Sequence, residues 1–161
     1  MKASTGFLLT GGQAFFAQPL ILNIYGAAPE PESANDAASG VLLVSIKDVH
    51  FVATGNGYRK APGEIWSNET TIEVSADATY FRLVTAADHG EASTTFPRLQ
   101  GDAGAKVAHQ HIVTEETIEG EWEERTLVEF SNPDLYLINP TSSSGQTLTI
   151  DEFKIAISHD D

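Results

Sequence analysis

The chain has 161 residues, enough for one domain that buries a core of its own, and no cysteine, which excludes disulfides and thiolate metal sites. Acidic residues outnumber basic ones by 23 to 9, giving a formal charge of -14, and a field of that sign repels phosphate backbones. Nucleic acid is therefore not an expected partner. No membrane partner is expected either, since no run has the length of a membrane-spanning helix, and Gly11-Gly12 interrupts the apolar start at Phe7 to Leu9 before a secretory core forms.

Along the chain, Ser4 or Thr5 caps a short helical turn through Leu9, and Gln13 to Gln18 forms another that Pro19 stops. Residues 1–19 read as an N-terminal arm. Its Phe7, Leu8, Leu9, Phe15 and Phe16 make it more apolar than a free terminus, so it either straps onto another subunit or covers the domain's own core. Leu20 to Tyr25 and Val41 to Ile46 are short, rich in branched residues and bounded by Gly or Pro, which favours buried strands. Between them, Ala27 to Ser33 carries two prolines and reads as a surface connection.

The next strand is expected over Val49 to Ala53, with Gly55-Asn56-Gly57 as a tight antiparallel turn. Ile72, Val74 and Ala76 alternate with Glu73 and Ser75, the period of a strand with one wet face, and Tyr80 to Thr85 follows. Ala86 to Ala105 is rich in glycine, threonine and acids and reads mainly as loop. Strands are expected at Lys106 to Thr114, Arg125 to Phe130 and Asp134 to Ile138. A last long strand runs from Gln146 to Ile157, where the apolar residues slip from Leu148 and Ile150 to Phe153 and Ile155, implying a bulge or bend near Asp151-Glu152. About eight to ten strands at short spacing indicate an all-β fold, an antiparallel β-sandwich or barrel-like domain over residues 20–161 with an extended N-terminal segment.

Residues with chemical potential do not assemble into a recognisable centre. His109 and His111 lie two apart on a strand, so both imidazoles share a side, but no third ligand is placed with them and they read as surface or interface histidines. Glu115, Glu116, Glu119, Glu121, Glu123 and Glu124 surround Trp122 without the order of a calcium loop, and read as a solvated hairpin or an acidic arm anchored by Trp122 on a neighbour. Asp88-His89 and His159-Asp160 are dipeptides without a nucleophile, and the glycine turns at 55–57 and 101–104 lack the lysine and helix of a phosphate loop. No catalytic, cofactor-binding or metal-binding residue is assigned, and an enzyme is not expected. A carbohydrate-binding module is the alternative of a different class, with Tyr58, Trp66 and Trp122 as sugar-stacking aromatics.

A string of short blocks runs through both ends of the chain: Ser4-Thr5-Gly6-Phe7, Leu22-Asn23-Ile24-Tyr25-Gly26, Pro29, Asp36-Ala37-Ala38, Gly40-Val41-Leu42-Leu43, Ala78-Thr79-Tyr80-Phe81-Arg82-Leu83, and Gly145 to Ile150 followed by Phe153 to Ile157. It resembles a family of small proteins from the structural-gene modules of tailed bacteriophages. The resemblance implies a virion protein at the head surface, a decoration or cement protein that bridges capsomers, with the major capsid protein and further copies of itself, as a homotrimer, for partners. A tail-associated structural role is the alternative within that class. It also implies that a charged insertion around 86–131 interrupts the β domain. The expected interface residues are Phe7, Leu8, Leu9, Phe15, Phe16 and Trp122.

Overall fold

Leu20, Leu22 and Ile24 alternate with Ile21, Asn23 and Tyr25 along one strand, and this period of two divides the molecule into an apolar and a polar layer. In the computed structural model, which describes residues 1–68, 72, 74–105, 107–131, 133–137 and 147–156, the elements follow in order. They are β1 (Lys2–Ala3), α1 (Thr5–Thr10), α2 (Gly12–Phe16), β2 (Leu20–Gly26), β3 (Val41–Val49), β4 (Phe51–Thr54), β5 (Gly57–Lys60), β6 (Trp66–Ser67) and β7 (Ala78–Val84). There follow β8 (Arg98–Gly104), β9 (Val107–Glu116), β10 (Trp122–Ser131), β11 (Leu135–Tyr136), β12 (Thr149–Ile150) and β13 (Lys154–Ala156).

The fold is all-β. Its main sheet has the order β1-β8-β7-β2-β3, with β11 parallel to the far end of β8 and every other neighbour antiparallel. Three small antiparallel sheets accompany it: β13-β5-β4, β12-β6 and the hairpin β10-β9. The turn at 55–56 joins β4 to β5 with Thr54 opposite Gly57.

The apolar face of the main sheet carries Leu22, Leu83 and Leu99 in one rung and Ile24 and Phe81 in the next. Phe51, Trp66, Ile150, Phe153 and Ile155 of the smaller sheets pack into the same core. Phe15 and Phe16 close it from the N-terminal side, with Phe16 edge-on to Phe51 at 5.0 Å and stacked on Tyr58 at 4.1 Å.

The N-terminal segment is not an extended arm. β1 pairs with β8, and Ser4 is the N-cap of α1: its Oγ accepts from Phe7 N at 3.1 Å and donates to Phe96 O at 2.8 Å. Gly11, at φ 83, ends α1 by donating to Phe7 O at 2.8 Å and starts α2 at once. The α1–α2 pair thus folds back onto the core.

Further differences from the sequence reading have physical reasons. Arg98–Gly104, expected as loop, is an inner strand of the main sheet, so the charged insertion is not wholly an excursion; within 86–131 it is the hairpin of β9 and β10 that stands apart. Ile72 is buried in the core without lying in a strand, Val74 to Ala76 are also outside any strand, and Glu73 lies outside the described residues. The last strand is divided at Asp151 to Phe153 into β12 and β13, which join different sheets. Its ends at Gln146 and Ile157, like Ile138, lie outside the described residues.

Candidate functional site

Two surfaces and one buried layer carry features that packing of the core does not require. The first is the hairpin. β9 and β10 are each ten residues long and pair in unbroken register, from Trp122 opposite Glu116 to Ser131 opposite Val107. At about 3.4 Å per residue each strand runs roughly 34 Å. Because directly opposed residues share a face, Ile112, Trp122 and Val128 lie on one side of the ribbon with Glu116 and Glu124. They are 72, 67 and 48 % exposed. On the other side Glu115 stands directly opposite Glu123, a like-charge pair that Arg125 relieves with a 3.2 Å contact to Glu115. The turn holds Ile118, fully exposed, and is closed by Thr117 N donating to Glu121 O and Gly120 N donating to Thr117 O.

The second surface joins the sheet β13-β5-β4 to the N-terminal helices. Its outward rungs are Val52, Arg59 and Lys154, then Thr54, Gly57 and Ala156. Arg59 and Lys154 are therefore exposed cations side by side, with Glu152 3.6 Å from Lys154. Beyond Ala156 opens an apolar groove of about 500 Å³ bordered by Phe7, Leu8, Phe16 and Leu99. On the other side of Lys154 lies a recess of about 270 Å³ edged by Arg59, Pro62, Asp151 and Glu152.

The buried layer covers the second face of the main sheet. There Ser45, Asn23, Arg82, Gln100 and Lys2 form one continuous rung across β3, β2, β7, β8 and β1. Tyr25 and Tyr80 stack at 4.8 Å in a flanking rung. The connections 27–40 and 85–97 cover this face, fastened by polar side chains. Arg98 Nε and Nη2 donate to both oxygens of Asp88 at 2.5 and 2.7 Å, Nη2 also to Glu91 O, and Nη1 to Ala34 O and Asp36 O. All N–H groups of that guanidinium are thereby used. Tyr80 Oη donates to Ser39 O and accepts from Ser39 N, and Gln100 Nε2 donates to Pro31 O. Burial lowers the pKa of Arg82 from its ordinary value and raises that of Tyr25, the latter with help from Tyr80. Arg82 is fully buried, its Nε donates to Gln100 Oε1 at 2.9 Å, and among the described residues neither terminal nitrogen has a hydrogen-bond partner.

The expected interface residues divide accordingly. Phe15 and Phe16 are spent inside the chain's own core at 0 and 4 % exposure, and Phe7 is half-buried against them, so the aromatic part of residues 1–19 does not serve as a strap on another subunit. Leu8, Leu9 and Trp122 are exposed. Trp66 is 2 % exposed with its indole N–H on Glu64 Oε2 at 2.7 Å, and Tyr58 stacks on Phe16, which removes both from a sugar-stacking platform. Asp88 is committed to Arg98 and forms no dyad with the exposed His89. His109 and His111 sit in β9 opposite Glu129 and Leu127, with side chains outside the described set. Among the described residues no group of three or more His, Cys, Asp or Glu is placed to hold a metal ion.

Sequence reasoning missed Arg82, Arg98, Asp88 and Gln100. The available signal was Arg82 itself, a charge inside the otherwise apolar run from Ala78 to Val84. Comparison with protein-family models, curated proteins and solved structures returns no match.

Proposed function

We propose that this protein acts by contact, as a structural component of a tailed-phage virion, most specifically a capsid decoration protein that bridges capsomers on the head shell. The observation that carries the contact reading is the hairpin. A two-stranded ribbon with apolar residues on an uncovered face is marginal by itself in water, and exposed Trp and Ile on a projecting element are the composition of an interface anchor. The phage assignment rests on the sequence blocks quoted above, and the rigid, loop-covered sheet gives such an arm a fixed base. The reaction-free role needs no active site, only a defined shape and a complementary surface on the major capsid protein.

The test is co-sedimentation of the purified protein with expanded, undecorated phage heads. Stoichiometric binding in multiples of the shell's symmetry supports the reading. Absence of binding to heads together with binding to tails moves the protein to the tail, and absence of binding to either removes the virion role.

A further inference from the structure

The exposed ribbon and the surface on β13-β5-β4 are complementary, and we infer that they bind each other between two copies of this chain. On the ribbon, Ile112, Trp122 and Val128 share one face with Glu116, directly opposite Trp122, and with Glu124 in the next rung of that face. On the receiving surface, the cations Arg59 and Lys154 stand in one rung, and the same strand β13 leads through Ala156 directly to the apolar groove lined by Phe7, Leu8, Phe16 and Leu99. The ribbon face sets carboxylates beside apolar side chains, and the receiving surface sets cations beside an apolar groove.

Cross-strand Arg59 and Lys154 repel one another in the free chain, and docking sets Glu116 and Glu124 of the ribbon's apolar face against them. Asp151 and Glu152 at the edge of the receiving surface oppose it, but the Lys154–Glu152 contact is 3.6 Å long between side chains 71 and 81 % exposed, and an exposed pair of that kind holds its partners weakly. Net charges of -14 on each copy also repel. At physiological salt the Debye length is about 8 Å, so the long-range repulsion is screened whereas ion pairs in contact keep most of their attraction. Association therefore rises from low to moderate ionic strength and falls again at high salt.

The occupant is a second copy because the complementary surface is on this chain. The ribbon's reach of roughly 34 Å is ample to span from one domain to the next. Donor and acceptor surfaces differ, so both a reciprocal exchange of ribbons about a two-fold axis and a head-to-tail ring satisfy the contact. The inference concerns the isolated chain and stands apart from the virion reading.

The experiment is sedimentation velocity of the full chain across protein concentration and salt. Wild type is expected to self-associate, and the double substitutions Glu116→Lys/Glu124→Lys and Arg59→Glu/Lys154→Glu each to weaken association by at least about tenfold, with Trp122→Ala doing the same. Mixing the two charge-reversed proteins pairs one swapped surface with the other and restores association. All substituted residues are exposed, so unchanged melting temperatures certify the fold; if the β5–β13 variant fails to fold, the hairpin variants and Trp122→Ala still decide. A wild-type chain that stays monomeric, association indifferent to either charge reversal, or no restoration on mixing overturns the inference. Head binding by a strictly monomeric chain would overturn it while leaving the virion role intact.

Discussion

The two buried arginines of the polar layer differ sharply in what removal of charge costs. Arg98 donates every N–H it has, two of them to Asp88, and both side chains of that pair have 0 % exposure. Asp88→Ala leaves a buried guanidinium without its counter-charge, a change that costs about 3–5 kcal/mol. Against a total of about 5–15 kcal/mol for a domain, this threatens the fold. Arg82→Met costs far less. It loses one charged hydrogen bond to Gln100, about 1.5–3 kcal/mol, and leaves the buried Gln100 Oε1 without its donor, about 1–3 kcal/mol, but removes two buried terminal nitrogens that have no partner among the described residues, each about 1–3 kcal/mol. Methionine fills the volume of the aliphatic stem, and Gln100 Nε2 keeps its bond to Pro31 O. The terms nearly cancel, and the variant is expected within about 2 kcal/mol of wild type.

Urea titration of wild type, Arg82→Met and Asp88→Ala, followed by tryptophan fluorescence from buried Trp66, measures both changes. A loss in Arg82→Met as large as that in Asp88→Ala would refute the reasoning, because it would mean that the terminal nitrogens hold a buried partner worth more than they cost. Hydrogen exchange adds a local readout. Ala38 N, which donates to Gly90 O, and Ser93 N, which donates to Asn35 O, tie the two covering connections together, and Asp88→Ala is expected to expose both amides.

Further outcomes are expected elsewhere. Burial raises the Tyr25 pKa, so the folded chain prefers the neutral phenol: its contribution to stability is full below the unfolded value of about 10 and is lost as pH rises through the folded one. Tyr25→Phe therefore flattens the alkaline limb of a stability-against-pH curve, and an unchanged limb would show that Tyr25 does not drive it. Phe16→Ala costs about 3–5 kcal/mol and Leu8→Ala less than about 0.5, since one is 4 % and the other 72 % exposed; equal losses in chemical denaturation would contradict that division of the N-terminal segment. Replacing 107–131 by a short turn leaves the core melting within about 3 °C of wild type, because the hairpin's strands pair with each other and not with the main sheet; a larger fall in calorimetry would show that the ribbon supports the core.

The sequence made strands legible where burial is two-sided or cleanly alternating. Leu20 to Tyr25, Val41 to Ile46 and Tyr80 to Thr85 read as strands because their apolar runs leave no other use for so many branched and aromatic residues, and the turn at 55–57 announced β4 and β5. Arg98–Gly104 did not, for a reason specific to its place. Its core-facing positions are Leu99, Gly101 and Ala103, the last two small, and its other face buries Arg98 and Gln100 beneath connections rather than beneath a second apolar layer. A Cβ at Gly101 would lie 2.3 Å from an Asp134 carboxylate oxygen, so any larger residue there must displace the Asp134 side chain. A strand built of glycine, small residues and satisfied polar groups looks like loop to any reading by hydrophobic period. The two tryptophans show the same limit: both neighbour acids in sequence, yet Trp66 is core and Trp122 is surface, because burial is decided by what packs over a residue.

The polar layer gives the ribbon a fixed base, which the proposed contact role requires. A face covered by apolar packing alone tolerates small shifts of its covering chain, whereas directional bonds from Arg98, Tyr80 and Gln100 to named carbonyls hold 27–40 and 85–97 in one arrangement. Those connections lie beside β8, and β8 leads through 105 and 106 into the hairpin. The arm thus continues from an inner strand of the main sheet, and its ten matched pairs set Ile112, Trp122 and Val128 on one face. Preorganisation of that kind lowers the ordering cost of association, which is why modest contact area suffices for specific binding. Glu116 and Glu124 on the same face add selectivity: they disfavour acidic neighbours and leave cationic surfaces as the partners that lower their energy.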